Sequence, residues 1–237
     1  MRYSCAPASR QAKSRAAADW RTLFAVVAGI TVLVAAAVWA VVPEHGDPPV
    51  HLDLASQVRG LVDVFRHPFF WRVAPLNMAS QGCFLAVQGL WAGPWLRDVA
   101  GLSRPMVAAH LSLLAVAMVS GFLGFGALAE RLSRRGVRPA TVAGAGMAAV
   151  TVVLTLLALG LDRGVPLMWA AFGFFGTAGV LSYAVLSQSF PDHLAGRVNT
   201  ALNLLVFLSA FAVQWGIGAV LELWEDPVTR TYRPEGY

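Results

Sequence analysis

The chain is 237 residues long, 57% apolar and only 13% charged, whereas ordinary soluble domains carry roughly twice that charge. There is too little polar surface to clothe a soluble core, and the charges cluster between long uncharged runs, the layout of a chain whose solvent is lipid. The net charge of +5 is nearly all arginine placed between apolar spans, where lipid headgroups favour it, and this argues against a nucleic-acid partner.

Residues 1–17 form a polar tail with Arg2, Arg10, Lys13 and Arg15. Segment 18–43 contains the first apolar run, Thr22 to Val42, uncharged over a bilayer-spanning length. It is too long for a signal-peptide core, and Trp39-Ala-Val-Val-Pro43 is a poor cleavage site, so it reads as a retained transmembrane helix. Residues 44–68 are polar, with Pro48-Pro49 breaking any helix. Within them Leu54, Val58, Leu61, Val62 and Phe65 recur at helical spacing, and Arg59 and Asp63 sit four apart on the other face. That pattern predicts an amphipathic helix on the membrane surface or against the bundle.

Residues 69–224 hold five further apolar spans, at 69–96, 105–129, 139–161, 165–190 and 198–224. Short charged connectors separate them: Arg97-Asp98 to Arg104, Glu130 to Arg138, Asp162-Arg163, and Asp192 to Arg197. A polar tail, 225–237, follows. Trp71, Trp91, Trp95, Trp169 and Trp224 fall mostly near span ends, as an aromatic belt would place them. The spans are continuous rather than alternating, which excludes a membrane β-barrel. The predicted fold is an all-α integral membrane protein of about six transmembrane helices.

Glycines recur inside the spans at Gly82, Gly89 and Gly93, at Gly121 and Gly124, and at Gly173, Gly176 and Gly179. Small residues at such spacing let helices approach closely in lipid. Gly144-Ala-Gly146 mimics part of a dinucleotide fingerprint, but no strand precedes it. Two cysteines, Cys5 and Cys83, offer neither a disulfide framework nor metal-site spacing, and no cofactor motif is present. No Ser-His-Asp set, zinc-protease motif or pair of intramembrane acids points to an enzyme, and no filter sequence points to a channel.

The connector after the third span reads Gly126-Ala-Leu-Ala-Glu130-Arg131-Leu-Ser-Arg134-Arg135-Gly136. It resembles the major facilitator signature G-x-L-A-D-R-x-G-R-R, with Glu130 where Asp is usual and Ser133 where Gly is usual. Physically, Gly126 would allow close helix packing, while Glu130 at a helix end could pair with Arg131, Arg134 or Arg135 and with a neighbouring helix N-terminus. Such a latch would hold one conformation and break in another. Asp19-Trp20-Arg21 with its apolar run looks like the sixth helix of that family. The Leu90 to Asp98 stretch looks like the outer end of helix seven in a bacterial branch, and Phe190-Pro191 through Thr200 like the connector between helices ten and eleven.

The resemblance implies helices six to eleven of a secondary carrier for a small solute, in an incomplete major-facilitator-type bundle. It implies a multi-pass location in a bacterial-type inner membrane, and little transport by the fragment alone. Residues 1–17 match nothing in the family and read as a non-native leader. The alternative is a half-carrier, or an interaction subunit, that pairs with a complementary half. The family places the motif connector in the cytoplasm. Seven arginines of connectors 44–68, 130–138 and 191–197 then lie inside against Arg97, Arg104 and Arg163 outside, as the positive-inside rule asks. The basic N-terminal tail would lie outside, against the same rule.

A transport cavity needs inward polar side chains at membrane depth. Asn77, Gln81 and Gln88 share one helical face, and Tyr183 and Asn203 supply polar groups on two later spans; these five are the cavity candidates. Helix-to-helix hydrogen bonding is the alternative role for each. No acid lies at the centre of a span, so a coupling acid is expected outside these residues.

Overall fold

The computed structural model describes residues 20–42, 53–160 and 164–225. The basic tail, the Pro48-Pro49 break, the Asp162-Arg163 connector and the residues after Glu225 lie outside the described residues. The chain divides into two compact units, Met1–His51 and Leu52–Tyr237.

The first unit contributes α1, Trp20–Val41. Its 22 residues extend about 33 Å, enough for a hydrocarbon core of about 30 Å. The Thr31 hydroxyl donates to the Val27 carbonyl at 2.8 Å, so this polar group is satisfied within the helix itself.

The second unit begins with α2, Leu54–Arg66, and α3, Pro68–Ala86. A π-helical turn, Val87–Trp91, carries α3 into α4, Ala92–Asp98. Next come α5, Arg104–Ser133, and α6, Pro139–Ala158. Then α7, Val165–Gly176, passes through a 3-10 turn, Thr177–Val180, into α8, Leu181–Ser189, and α9, Asp192–Glu222, follows. Proline at the first or second position starts α3, α5, α6 and α7, where its missing N–H breaks no helical bond. Glycines with positive φ, Gly101, Gly136, Gly160 and Gly164, turn the chain between helices where a Cβ would be strained.

Among the described residues, five helical stretches are long and apolar enough to cross a membrane: α1 from Arg21, α5, α6, the joined α7–α8, and α9. The sixth expected span, at 69–96, is helical throughout from Pro68 to Asp98. Its Pro75, Asn77, Ser80, Gln81 and Gln88 dilute the apolar run, so composition alone does not mark it as a membrane helix. Two expected spans prove to be broken helices, at the π turn and at the 3-10 turn. The connector expected at Asp192 to Arg197 is a correction: it forms the first turns of α9. Pro191 caps that helix, and Asp192 in its first turn suits the positive end of the helix dipole.

Three apolar clusters hold the second unit together. Val64 of α2, Phe70 and Ala74 of α3, Leu186 of α8, and Val198 and Leu202 of α9 are wholly buried at one end. The amphipathic helix α2 is thereby seated on the bundle through Val64. Toward the other end Phe84, Leu96, Leu114, Val150, Trp169 and Phe172 pack together. Phe125, Val142 and Ala178 form a smaller cluster beside them. Trp169 corrects the aromatic-belt expectation: it is 2% exposed, with its ring 5.6 Å from that of Trp95 and 5.5 Å from that of Phe172. Position near a span end did not put it in the interface, because α3–α4, α5 and α6 all contribute to the cluster that encloses it.

The glycine pattern divides by what faces each residue. A Cβ at Gly173 would lie 2.8 Å from the Leu114 carbonyl oxygen, and one at Gly146 would collide with Ala178 and Phe125. Gly82, Gly121, Gly176 and Gly179 are also close approaches, to Ser209, Thr177, Phe84 and Gln81 respectively. These are the small-residue crossings that packing in lipid requires. Gly93 and Gly126 have nothing within 4 Å of the same position.

Candidate functional site

Helix α5 has 30 residues and is about 45 Å long, so it overruns the hydrocarbon core. Its last turns carry the motif. Glu130 and Arg134 form an ion pair, with Arg134 Nη2 donating to Glu130 Oε1 at 2.6 Å. The pair is an i,i+4 contact along one helix, and both side chains are mostly exposed, at 68% and 77%. An exposed pair of this kind contributes about 0.3–0.5 kcal/mol, too little to carry the fold. It borders a cleft of ≈ 390 Å³ shared with Pro139 at the start of α6 and with Leu181 and Gln188 of α8. Arg131 and Arg135 are exposed beside it.

Gly126 is a correction. The expected close approach is absent among the described residues, since nothing stands within 4 Å of its Cβ position. One turn ahead of Glu130, it leaves an open strip on the face of α5.

The five cavity candidates do not form one surface. Asn77 is wholly buried, and among the described residues neither its Oδ1 nor its Nδ2 has a partner. Gln81, one turn on, is 6% exposed, and its Nε2 donates to the Gly176 carbonyl at 2.7 Å. That carbonyl stands where α7 passes into the 3-10 turn, a place where the helical bonding pattern changes and acceptors are freed. Gln88 is half-buried within the π turn. On the later helices the half-buried Tyr183 donates its hydroxyl to Asn203 Oδ1 at 3.1 Å, and Asn203 is exposed. The site therefore has two parts: a buried amide pair on α3, and an open Tyr183–Asn203 pair between α8 and α9. Ser80 Oγ and Asn199 Oδ1 are further buried acceptors without a described partner. The Gly176 carbonyl was missed as the partner of Gln81, although the Gly173, Gly176, Gly179 spacing marks the place. Among the described residues no group of three or more His, Cys, Asp or Glu could hold a metal ion.

An all-helical bundle with helices of bilayer-spanning length, and no strand among the described residues, is the architecture of a multi-pass membrane protein. The family model described as Major Facilitator Superfamily matches residues 14–213, and the chain belongs to that superfamily. Its members are secondary transporters rather than enzymes, so the lipid bilayer and a small solute are its partners. No curated protein and no solved structure matches the chain.

Proposed function

We propose that the chain supplies helices six to eleven of an alternating-access carrier in a bacterial-type inner membrane, with the motif end in the cytoplasm. The observation that carries this reading is the ordered run Gly126, Glu130, Arg131, Arg134, Arg135 on an overlong helix end, with the Glu130–Arg134 pair at the rim of a cleft between α5, α6 and α8. In one state Glu130 stays with Arg134; in the other it turns toward the start of α6, whose dipole favours an anion. The loop 44–68 then lies in the cytoplasm, the bundle 69–224 spans the membrane, and the tails 1–17 and 225–237 lie on the opposite side. Asn77, Gln81, Gln88, Tyr183 and Asn203 supply this half's share of the polar lining. Asn77 is wholly buried with neither amide atom paired among the described residues, at a cost of about 1–3 kcal/mol, and would meet a solute only in a state that opens the bundle around it.

Two measurements test the reading. Topology reporters fused after Arg135 and after Tyr237 should read inside and outside respectively; a motif read outside would overturn the register. In a transporting assembly, Glu130→Gln should lower the uptake rate about tenfold or more while thermal stability stays within about 0.5 kcal/mol, since the pair is exposed. Normal uptake by that variant would remove Glu130 from the latch.

A second reading, that the chain acts as a half-carrier joined to a complementary half, is favoured by the exposed Asn203 beside Tyr183. Polar groups at membrane depth face protein or water rather than lipid tails. Crosslinking from an Asn203→Cys variant to a second membrane polypeptide would support it; crosslinking to lipid alone would sink it.

A further inference from the structure

The Gly144-Ala-Gly146 run has a use that its resemblance to a nucleotide fingerprint does not describe. Gly146 is buried against Ala178 and Phe125, but nothing stands within 4 Å of a Cβ at Gly144. Gly144 opens instead onto a crevice of ≈ 120 Å³ between α3, α6 and α8. Arg72 and Leu76 line it from α3, Ala140 from the first turn of α6, and Ser182 from α8. Of the residues lining it, Arg72 alone is charged.

Two polar groups in this crevice lack partners among the described residues. Arg72 makes no hydrogen bond or ion pair. Ser182 is 3% exposed, and its hydroxyl has no hydrogen bond among the described residues yet keeps a little accessible surface. The crevice it lines is therefore where that hydroxyl is reached. The positive end of α6 lies beside both, with Arg138 at its cap. Glu130, the acid that lines the adjoining cleft, is already paired with Arg134. A guanidinium, a hydroxyl donor and a helix N-terminal turn, without a competing carboxylate, are complementary to an oxyanion. The volume holds about four waters' worth of space, room for one tetrahedral group.

Depth and surroundings narrow the ligand. Arg72 stands about 6 Å along α3 from its start at Pro68, which the proposed register puts near the lipid headgroups. Leu76, one turn deeper, is 57% exposed and offers an apolar wall beside the charge. We propose that this crevice is a phosphate-binding site, occupied by the phosphate of a phospholipid headgroup or by free phosphate from the adjoining solution. It does not depend on the latch or the cavity assignment.

The test uses the full chain purified in a neutral detergent. Sodium phosphate at constant ionic strength, short-chain phosphatidylglycerol and short-chain phosphatidylcholine are titrated separately, with binding read by native mass spectrometry and by the rise in thermal midpoint. Phosphatidylglycerol binding that weakens about ten- to hundredfold in Arg72→Gln supports the site, since a hydrogen bond to a charged group carries that much. Gly144→Leu fills the crevice from an open helical position and should remove the binding without lowering the ligand-free midpoint. A response to inorganic phosphate as well would identify a free anion as an occupant; a response to the lipid alone would identify the headgroup. Equal binding of both lipids, unaffected by Arg72→Gln, would mean that the tails alone hold them and would overturn the proposal, as would no binding of any probe.

Discussion

Replacing Gly121 with valine is expected to cost the bundle about 3 kcal/mol, toward the upper end of overpacking effects. A Cβ at that position collides with the Thr177 hydroxyl and lies 2.5 Å from the Phe174 carbonyl oxygen. The second neighbour decides the size of the effect. A side chain can swing aside, but a backbone carbonyl moves only with its helix, so α5 and α7 must separate. The same crossing is tight from the other side, at Gly173 against the Leu114 carbonyl oxygen. Separation would also loosen Leu114, Trp169 and Phe172, which share one apolar cluster. In detergent, the valine variant should unfold at a clearly lower temperature. Gly126→Ala on the same helix is the control, because its Cβ meets nothing. There the gain in helix propensity should stabilise by about 0.5–1 kcal/mol. Equal midpoints for Gly121→Val and the parent would show that α5 and α7 do not cross as closely as described.

The contrast between Gly121 and Gly126 also shows how far the sequence could be read. Both are glycines in one apolar helix, and both sit in plausible small-residue patterns. Which one touches a neighbour depends on the rotation of α5 against α7, and that rotation is set by contacts far apart in the chain. The spans themselves were legible because lipid imposes a composition on any helix that crosses it. The amphipathic helix was legible as a helix, but its buried face only in part: Leu61 and Phe65 pack on the bundle, while Val58 and Val62 of the expected face stay exposed and Val64, outside it, is wholly buried. The π turn at Val87–Trp91 and the 3-10 turn at Thr177–Val180 left no such mark. A run of apolar residues looks the same whether its backbone bonds reach back three, four or five residues. The helical start at Asp192–Arg197 was hidden because charge suggested a connector, whereas a helix longer than the bilayer carries charged turns beyond it. Trp169 was hidden because an end position in sequence says nothing about the neighbours that enclose it. Of the site, the motif could be read in order, while the partner of Gln81 could not, since it is a backbone carbonyl 95 residues away.

That partner makes Gln81 the most informative cavity candidate to replace. Its side chain does two things in the bundle: it donates to the Gly176 carbonyl at 2.7 Å, and it lies across the bare backbone of Gly179. Gln81→Leu keeps most of the volume and removes the donor. The Gly176 carbonyl then stays buried with one bond fewer, at an expected cost of about 1–2 kcal/mol. Gln81→Ala loses the donor and also opens a cavity beside Gly179, so its cost should be larger, about 2–4 kcal/mol. Gln81→Glu should fall below the leucine variant at neutral pH, because the carboxyl must take up a proton to be buried and to donate to the Gly176 carbonyl in place of the amide. The order of thermal midpoints is thus parent, leucine, and then alanine and glutamate. A residue that only contacted solute would give another result: uptake lost in all three variants with midpoints unchanged. The hydrogen bond from the Gln81 amide across to the Gly176 carbonyl predicts the stability order first, and any loss of uptake in the leucine variant beyond that expected from its midpoint measures how much of Gln81 is left to face the solute.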